Sequence, residues 1–282
     1  MLEHSGRIFQ QETRYRREAM EARGLDWGSK PPTYKSYENA PLTPLPVPFA
    51  PPGEHSGSGD DAASAGGGAM AEGAVPDLLT CVARRRSVRA FGAAPLTLLD
   101  LSRLLWASTG LTGATAVSRG PHFYRAAPSA GALYPIETYV VANNVQDLES
   151  GLYHYRVAGI DAGGRPAVDG GHVLEQLKTG DLRAAVAAAA LDQPMCGKAG
   201  AVFLWTAVFA RCEWKSRERA YRYIYLDAGH IAAQLSLTAV AQGLGSCAVA
   251  AFYDDEADML LGVDGHDEAV VYMTAVGVPA RR

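Results

Sequence analysis

Arg84-Arg85-Arg86-Ser87-Val88-Arg89-Ala90-Phe91 gathers four arginines into six residues of a chain whose formal net charge is −4. A guanidinium cannot shed its proton to escape burial, so the cluster needs either an anion or open water. The residues alone leave two readings. One is a solvated helix end, where positive charge suits the C-terminal macrodipole. The other is one corner of a phosphate site, where arginine forks and the Ser87 hydroxyl meet phosphate oxygens. The choice turns on whether the rest of the chain supplies the other walls of such a pocket.

The totals narrow the partners. At 282 residues, 48% hydrophobic and 20% charged, the chain suffices for one large domain or two small ones. A pI near 6.0 excludes a chain-wide basic footprint, so no nucleic-acid partner is expected and any anion site is local. Cys81, Cys196, Cys212 and Cys247 are scattered, with no Cys-x-x-Cys pair, which predicts reduced thiols rather than a disulfide framework or a zinc knuckle. No histidine or carboxylate set has metal-ligand spacing, so no metal is expected. Met1 to Gln10 lacks the apolar core of a signal peptide. The longest apolar run, Ala199 to Ala210, is too short to span a bilayer and has strand composition. A cytoplasmic protein without a membrane partner is expected.

N-terminal to the cluster, Pro76-Asp77-Leu78-Leu79 reads as a helix start that runs into the arginines. Residues 53–75 are Gly/Ser/Ala-rich and cannot bury enough apolar area to order themselves, so a flexible linker is expected. Residues 1–52 form an arm. Its first part is polar, with a short helix over Arg14 to Ala22. From residue 25 it holds eight of the chain's sixteen prolines (Pro31 to Pro52), which predicts an extended path over a surface or a partner subunit.

The packed domain is placed at 76–282. Thr97-Leu98-Leu99-Asp100 opens a helix with a capping box and Leu98, Leu101, Leu104 and Leu105 on one face, stopped at Gly110. A loop follows over Thr112 to Arg125. Strands are expected over Glu137–Ala142, Gly151–Val157, Gly200–Phe209, Cys247–Phe252 and Ala269–Val276. Helices are expected over Asp181–Ala190, Arg217–Gln242 (closed by Gly243) and Asp255–Leu261. The class is α+β, a central mixed or antiparallel sheet flanked by long helices.

Other motifs carry less on their own. Pro128-Ser129-Ala130-Gly131 is a turn of small residues that lets backbone amides approach a planar ligand, or simply a turn before a strand. Gly243-Leu244-Gly245 reads as a helix C-cap, and no Gly-x-Gly-x-x-Gly or Walker lysine motif occurs. Ser129 lacks the Gly-x-Ser-x-Gly frame of a hydrolase nucleophile. His230 reads as a satisfied core histidine.

Taken together, RRSVRAF (85–91), LLWASTGLTG (104–113), PSAGALYPIETYVV (128–141), GLYHYRV (151–157), RAYRYIYLDAGHIAAQLSLTAVAQGLG (219–245) and VGVPARR (276–282) resemble the nitroreductase-like flavoproteins, and within them the SagB-type dehydrogenases. The resemblance covers the chain after residue 76. It implies an FMN-dependent oxidoreductase, a domain-interlocked homodimer with the flavin at the interface, and a small-molecule or peptide substrate. NAD(P)H-driven reduction of nitro compounds or quinones, and a non-catalytic assembly subunit, are the alternatives. By the same resemblance Arg85, Arg86 and Ser87 lie near the FMN phosphate arm and Arg89 at the pyrimidine edge. Pro128, Ser129, Ala130, Gly131 and Leu133 line the ring from the partner subunit. Ala250 and Ala251 bring a backbone N–H toward N5, and Arg281 completes the phosphate site. The family's catalytic Lys-Tyr pair corresponds to Lys215-Ser216. Lys215 is thus a catalytic candidate or a solvated lysine, and a serine hydroxyl, shorter and far less acidic than a phenol, counts against oxidation of a peptide azoline.

Overall fold

The computed structural model describes residues 4–17, 24–48, 75–117, 120–160, 166–167 and 171–280. The 53–74 part of the expected linker, and Arg281, lie outside the described residues.

Helix starts follow their caps. Asp77 accepts the Thr80 N–H and opens α2 (Leu78–Arg84), preceded in the chain by α1 (Ser5–Glu12). Thr97 and Asp100 close a reciprocal capping box at α3 (Leu98–Thr109), satisfying two amides that have no partner within the helix. The remaining helices are α4 (Arg183–Ala189), α5 (Pro194–Lys198), α6 (Ala210–Ser216), α7 (Ala220–Ala241) and α8 (Asp254–Leu261). Gly243, at φ 72°, ends α7 where a left-handed residue is needed.

Seven strands form one antiparallel sheet in the order β1 (Leu42–Pro44), β8 (Val173–Thr179), β5 (Gly151–Arg156), β4 (Ile136–Ala142), β9 (Ala201–Val208), β11 (Glu268–Gly277), β10 (Gly245–Val249). The central strands are buried on both faces, so they read as continuous apolar runs. One face, with Val140, Tyr153, Phe203 and Trp205, packs on Leu101, Leu104 and Leu105 of α3 and on Ile224, Ile231 and Leu235 of α7. The other, with Val141, Leu152, Val202 and Leu204, packs on α4, α5 and α8. All four cysteines are free and buried.

Beyond those three helices the second face is polar, and the N-terminal arm covers it. Glu137 (β4), His154 (β5) and Glu175 (β8) line up across three strands. His154 meets Glu175 at 2.7 Å and Glu137 at 3.2 Å, and Glu137 pairs with Arg211 of α6 at 2.6 Å. Burial alone would raise the Glu137 carboxyl, but Arg211 and His154 outweigh it and hold it at about 2. His154 is moved the other way: burial opposes its charge, and the two carboxylates overcome that and raise it above the ordinary histidine value. From the arm, the Tyr37 amide donates to Glu175, its hydroxyl meets that of Tyr139 at 2.7 Å, and Lys35 reaches Glu268 at 2.6 Å. The Pro32 carbonyl accepts from Arg211 Nε, and β1 pairs with β8 at the sheet edge. The arm therefore takes its extended path over its own sheet.

Three expectations are corrected. The loop over Thr112 to Arg125 is a hairpin, β2 (Leu111–Val117) with β3 (Gly120–Arg125). The first helix lies at Ser5–Glu12, while residues 14–16 are irregular and 18–22 fall outside the described residues. The long helix expected from Arg217 begins at Ala220, after an additional helix α6 and a short turn over Arg217–Arg219, with Arg217 at φ 50°. A short hairpin of β6 (Gly159–Ile160) and β7 (Pro166–Ala167) precedes β8.

Candidate active site

The arginine segment is locked at one end of the sheet by backbone bonds. The Val88 amide donates to the Ser246 carbonyl of β10 at 2.9 Å, Gly92 donates to Val278, and Ala280 donates back to Ala90. Residues 85–92 thus run between β10 and the chain's C-terminal extension, which brings the residue preceding Arg281 against the cluster. Close approach demands glycine here: a Cβ on Gly245 would lie 2.7 Å from Val88 Cγ1. Arg85, Ser87 and Arg89 are exposed, and among the described residues no carboxylate pairs with either arginine. Arg86 differs. Its Nη1 donates to the Ala83 and Arg85 carbonyls, capping α2. Ala250 and Ala251 follow β10 as an exposed turn, whose Ala251 carbonyl accepts from Gln193.

The turn over Pro128 to Leu133 is under backbone strain. Gly131 has φ 67°, and Ala132 and Tyr134, which are not glycines, have φ 50° and 49°. Side chains hold it there. Asp227 of α7 accepts the Ala130 N–H at 3.2 Å, Ser129 Oγ accepts the Tyr134 N–H at 3.0 Å, and Gln234 donates to the Ala126 carbonyl. Behind the turn is a narrow crevice bounded by Ser108, Thr109, Arg125, Ser129, Asp227 and Ile231. Arg125 is buried there between the rings of Tyr34 and Tyr134, at 5.1 and 4.6 Å, with Nε and one terminal nitrogen unpartnered. Asp227 Oδ2 is likewise unpartnered, and burial raises that carboxyl despite its bonds to Ser129 and Ala130. Lys215 of α6 is exposed and reaches the same turn: a Cβ on Gly131 would lie 3.1 Å from its Nζ.

The two groups of predicted site residues do not meet within one chain. Strand register puts Ser246 beside Val276, Val276 beside Ala201 and Ala201 beside Ala142, whereas the Pro128 turn enters β4 at Ile136, opposite Ala207. Six residues of β9 separate the two ends, about 20 Å. Lys215 joins the turn and the C-terminal extension joins the arginines. Arg125, Asp227 and Gln234 were not among the expected site residues. Asp227 and Gln234 sit seven apart on one helix face, a spacing visible in the sequence, but their target loop is about a hundred residues away. His230, expected in the core, is exposed on α7.

Residues 82–278 match the nitroreductase family. A provisionally named nitroreductase of Methanocaldococcus jannaschii, MJ1384, is 33% identical over 180 residues, 64% of this chain and 81% of that protein. The trifolitoxin-processing protein TfxB of Rhizobium leguminosarum bv. trifolii is 32% identical over 152 residues, 52% of this chain but only 38% of TfxB. A nitroreductase structure from Anabaena variabilis superposes with a TM-score of 0.70 at 25% identity, covering 96% of this chain and 46% of that one. With its antiparallel sheet, its helical layers and a family match across most of its length, the chain belongs to the nitroreductase family.

Proposed function

We propose that the protein is an FMN-dependent oxidoreductase of SagB type, passing hydride between flavin N5 and a small organic or peptide-derived substrate, with its sites completed by a second copy of the chain. The observation that carries this reading is the exposed Arg85-Ser87-Arg89 set, fixed by backbone bonds yet with no carboxylate partner among the described residues. Its chemistry fits a phosphate arm and an electron-rich ring edge. The small-residue turn at Pro128–Gly131 fits the face of a flat ring. That turn stands at the far end of the sheet, so a composite site draws it from the partner. FMN would supply two-electron chemistry, and the chain's own residues bind, orient and exclude water. Arg89 favours negative charge at the ring edge, Asp227 and Ser129 hold the turn, and Lys215 stands over Gly131. Arg86, spent on the α2 carbonyls, has at most a shared role.

The purified protein should be yellow or take up FMN stoichiometrically; a chain that shows no flavin absorption after reconstitution would falsify the reading. The name of its relative TfxB supports a peptide-derived substrate. The name of its relative MJ1384 supports NAD(P)H-driven nitro or quinone reduction. Anaerobic mixing separates the two: rapid bleaching of bound FMN by NADH or NADPH favours the reductase.

A further inference from the structure

The stretch that carries the arm round the edge of the sheet, residues 41–48 (PLTPLPVP), has little to hold it by its own composition. Pro41, Pro44, Pro46 and Pro48 have no amide to donate. β1 pairs with β8 over 3 residues, the Gln176 amide donates to the Pro41 carbonyl, and the Leu45 amide donates to the His172 carbonyl at 3.3 Å. Leu45 is the one buried side chain of 42–48. The remaining grip is polar and centres on His172.

The Pro46 carbonyl fixes the direction of every hydrogen bond in that grip. A carbonyl only accepts, so Ser102 of α3 donates to it at 2.5 Å. Ser102 Oγ has then used its proton, and His172 Nε2 is the donor in their 2.8 Å contact. In the neutral ring Nδ1 is therefore bare, and it accepts the hydroxyl of Tyr155 of β5 at 2.7 Å. The chain of donors runs one way, from Tyr155 through His172 and Ser102 to Pro46. Arg103, next on α3, donates to the Pro48 carbonyl at 3.0 Å. The backbone under the ring is pinned: His172 has φ 55°, and a Cβ on Gly171 would lie 2.5 Å from the Val157 carbonyl oxygen.

A second proton on the ring breaks this chain. Nδ1–H would face the Tyr155 oxygen, and the Tyr155 hydroxyl proton, on a side chain 1% exposed, would lose its acceptor. The groups around His172 are Tyr155 from β5, Ser102 and Arg103 from α3 and Pro46 from the arm, with Arg125 of β3 acting on Tyr155. Among the described residues no carboxylate faces the ring; Arg156 and Glu175 pair with each other on the opposite face of the sheet. Burial accordingly holds His172 below the ordinary histidine value, against the pull of the Pro46 carbonyl.

We infer that residues 42–48 are an acid-released strap, fastened to the sheet edge while His172 is neutral and let go when it takes up a second proton. The stabilisation that neutral His172 gives the closed strap is complete above the free-ring value of about 6.5 and is lost as pH falls through the lower folded value. That loss begins above the range in which Glu137 titrates, so the strap loosens before the polar layer does. Pro32, Lys35 and Tyr37 keep their own partners, Arg211, Glu268 and Glu175. Release therefore stops short of them and bares the β8 edge, whose amides and carbonyls are then open to another strand.

Hydrogen exchange on the full-length protein, corrected for the intrinsic effect of pH, tests this between about pH 7.5 and pH 5. Protection of 42–45 and 173–176 should fall across that range while protection of 201–208 in β9 holds. In His172→Gln the pH dependence should vanish, and Ser102→Ala should lower protection of the strap about tenfold already at neutral pH. The His172 ring is followed by NMR in parallel: in Tyr155→Phe, without the hydroxyl that favours a bare Nδ1, it should titrate closer to about 6.5 than in the wild type. Strap protection that ignores pH, that falls equally in His172→Gln, or that falls in step with β9 overturns the inference. Should His172→Gln be open at every pH, the Tyr155→Phe titration decides: a ring that moves up sustains the strap, and one that titrates as in the wild type overturns it.

Discussion

Single side chains in this molecule are set by neighbours far away in sequence. Glu137 is the clearest case. Its folded-state value of about 2 lies below the ordinary 4.5, so its contribution to stability is complete above the unfolded value and is lost as pH falls from about 4.5 toward 2. A shift of that size corresponds to a few kcal/mol at most, roughly 3. Stability against denaturant should therefore fall as pH drops from about 4.5 toward 2. Glu137→Gln should flatten that limb while lowering stability at neutral pH, because Arg211 is left buried without its anion; an unchanged acid limb would remove Glu137 from this role. At the arginine segment, Arg89→Ala should weaken FMN binding about tenfold, or ~1.4 kcal/mol, in a fluorescence titration. Arg84→Ala, at the end of α2 and five residues back, should do nothing measurable, and equal effects would refute the division of roles. That the arginine segment needs an anion or open water, and that Pro128–Gly131 is a turn of small residues, was legible in the sequence because both rest on local composition; Lys215 was singled out only through the family resemblance. Arg125 and Asp227 were not legible: an arginine that ends a strand and an aspartate inside a helix gain meaning only when the fold brings them behind the same turn.

Elements were legible where a cap or a continuous apolar run marked them. Thr97 with Asp100, Asp77 before Leu78, and Gly243 after the long helix all mark observed ends. The β2–β3 hairpin was missed because Thr-Gly-Ala-Thr-Ala-Val lacks the aromatic and branched alternation of a strand. β1 was missed because three residues ending in proline make sense only at a sheet edge, where its missing donor faces no partner. One element boundary invites a direct test. In Gly245→Ala the new methyl sits against Val88, within 2.7 Å, and the segment carrying Arg85 to Arg89 must shift. Stability should fall by roughly 1–3 kcal/mol, and FMN affinity with it. Val88→Ala in the same chain should restore part of both, as measured by thermal unfolding and flavin titration. Loss without any rescue would point to a cause other than this contact.

The whole molecule presents an apolar stretch that its own fold does not cover. Leu78 and Leu79 of α2 and Leu226 of α7 are 65%, 77% and 59% exposed, and α7 connects the two ends of the sheet where the half-sites lie. If a second copy completes the flavin site, sedimentation should report a two-chain particle. Leu226→Glu should then halve its mass and lower FMN affinity together. A monomeric variant that keeps wild-type affinity would break the link between assembly and cofactor.

The arm adds a constraint in time. Lys35 closes onto Glu268 across 233 residues, and Tyr37 onto Glu175 and Tyr139. On the ribosome these residues emerge before their partners and must wait until β4 and β8, and finally β11, are made. Loop closure over such a span makes the contacts late and non-local. The final act of folding is then the docking of the proline-rich arm over carboxylates that would otherwise stay wet. A nascent chain stalled before residue 268 should leave its first fifty residues open to protease, and release should protect them.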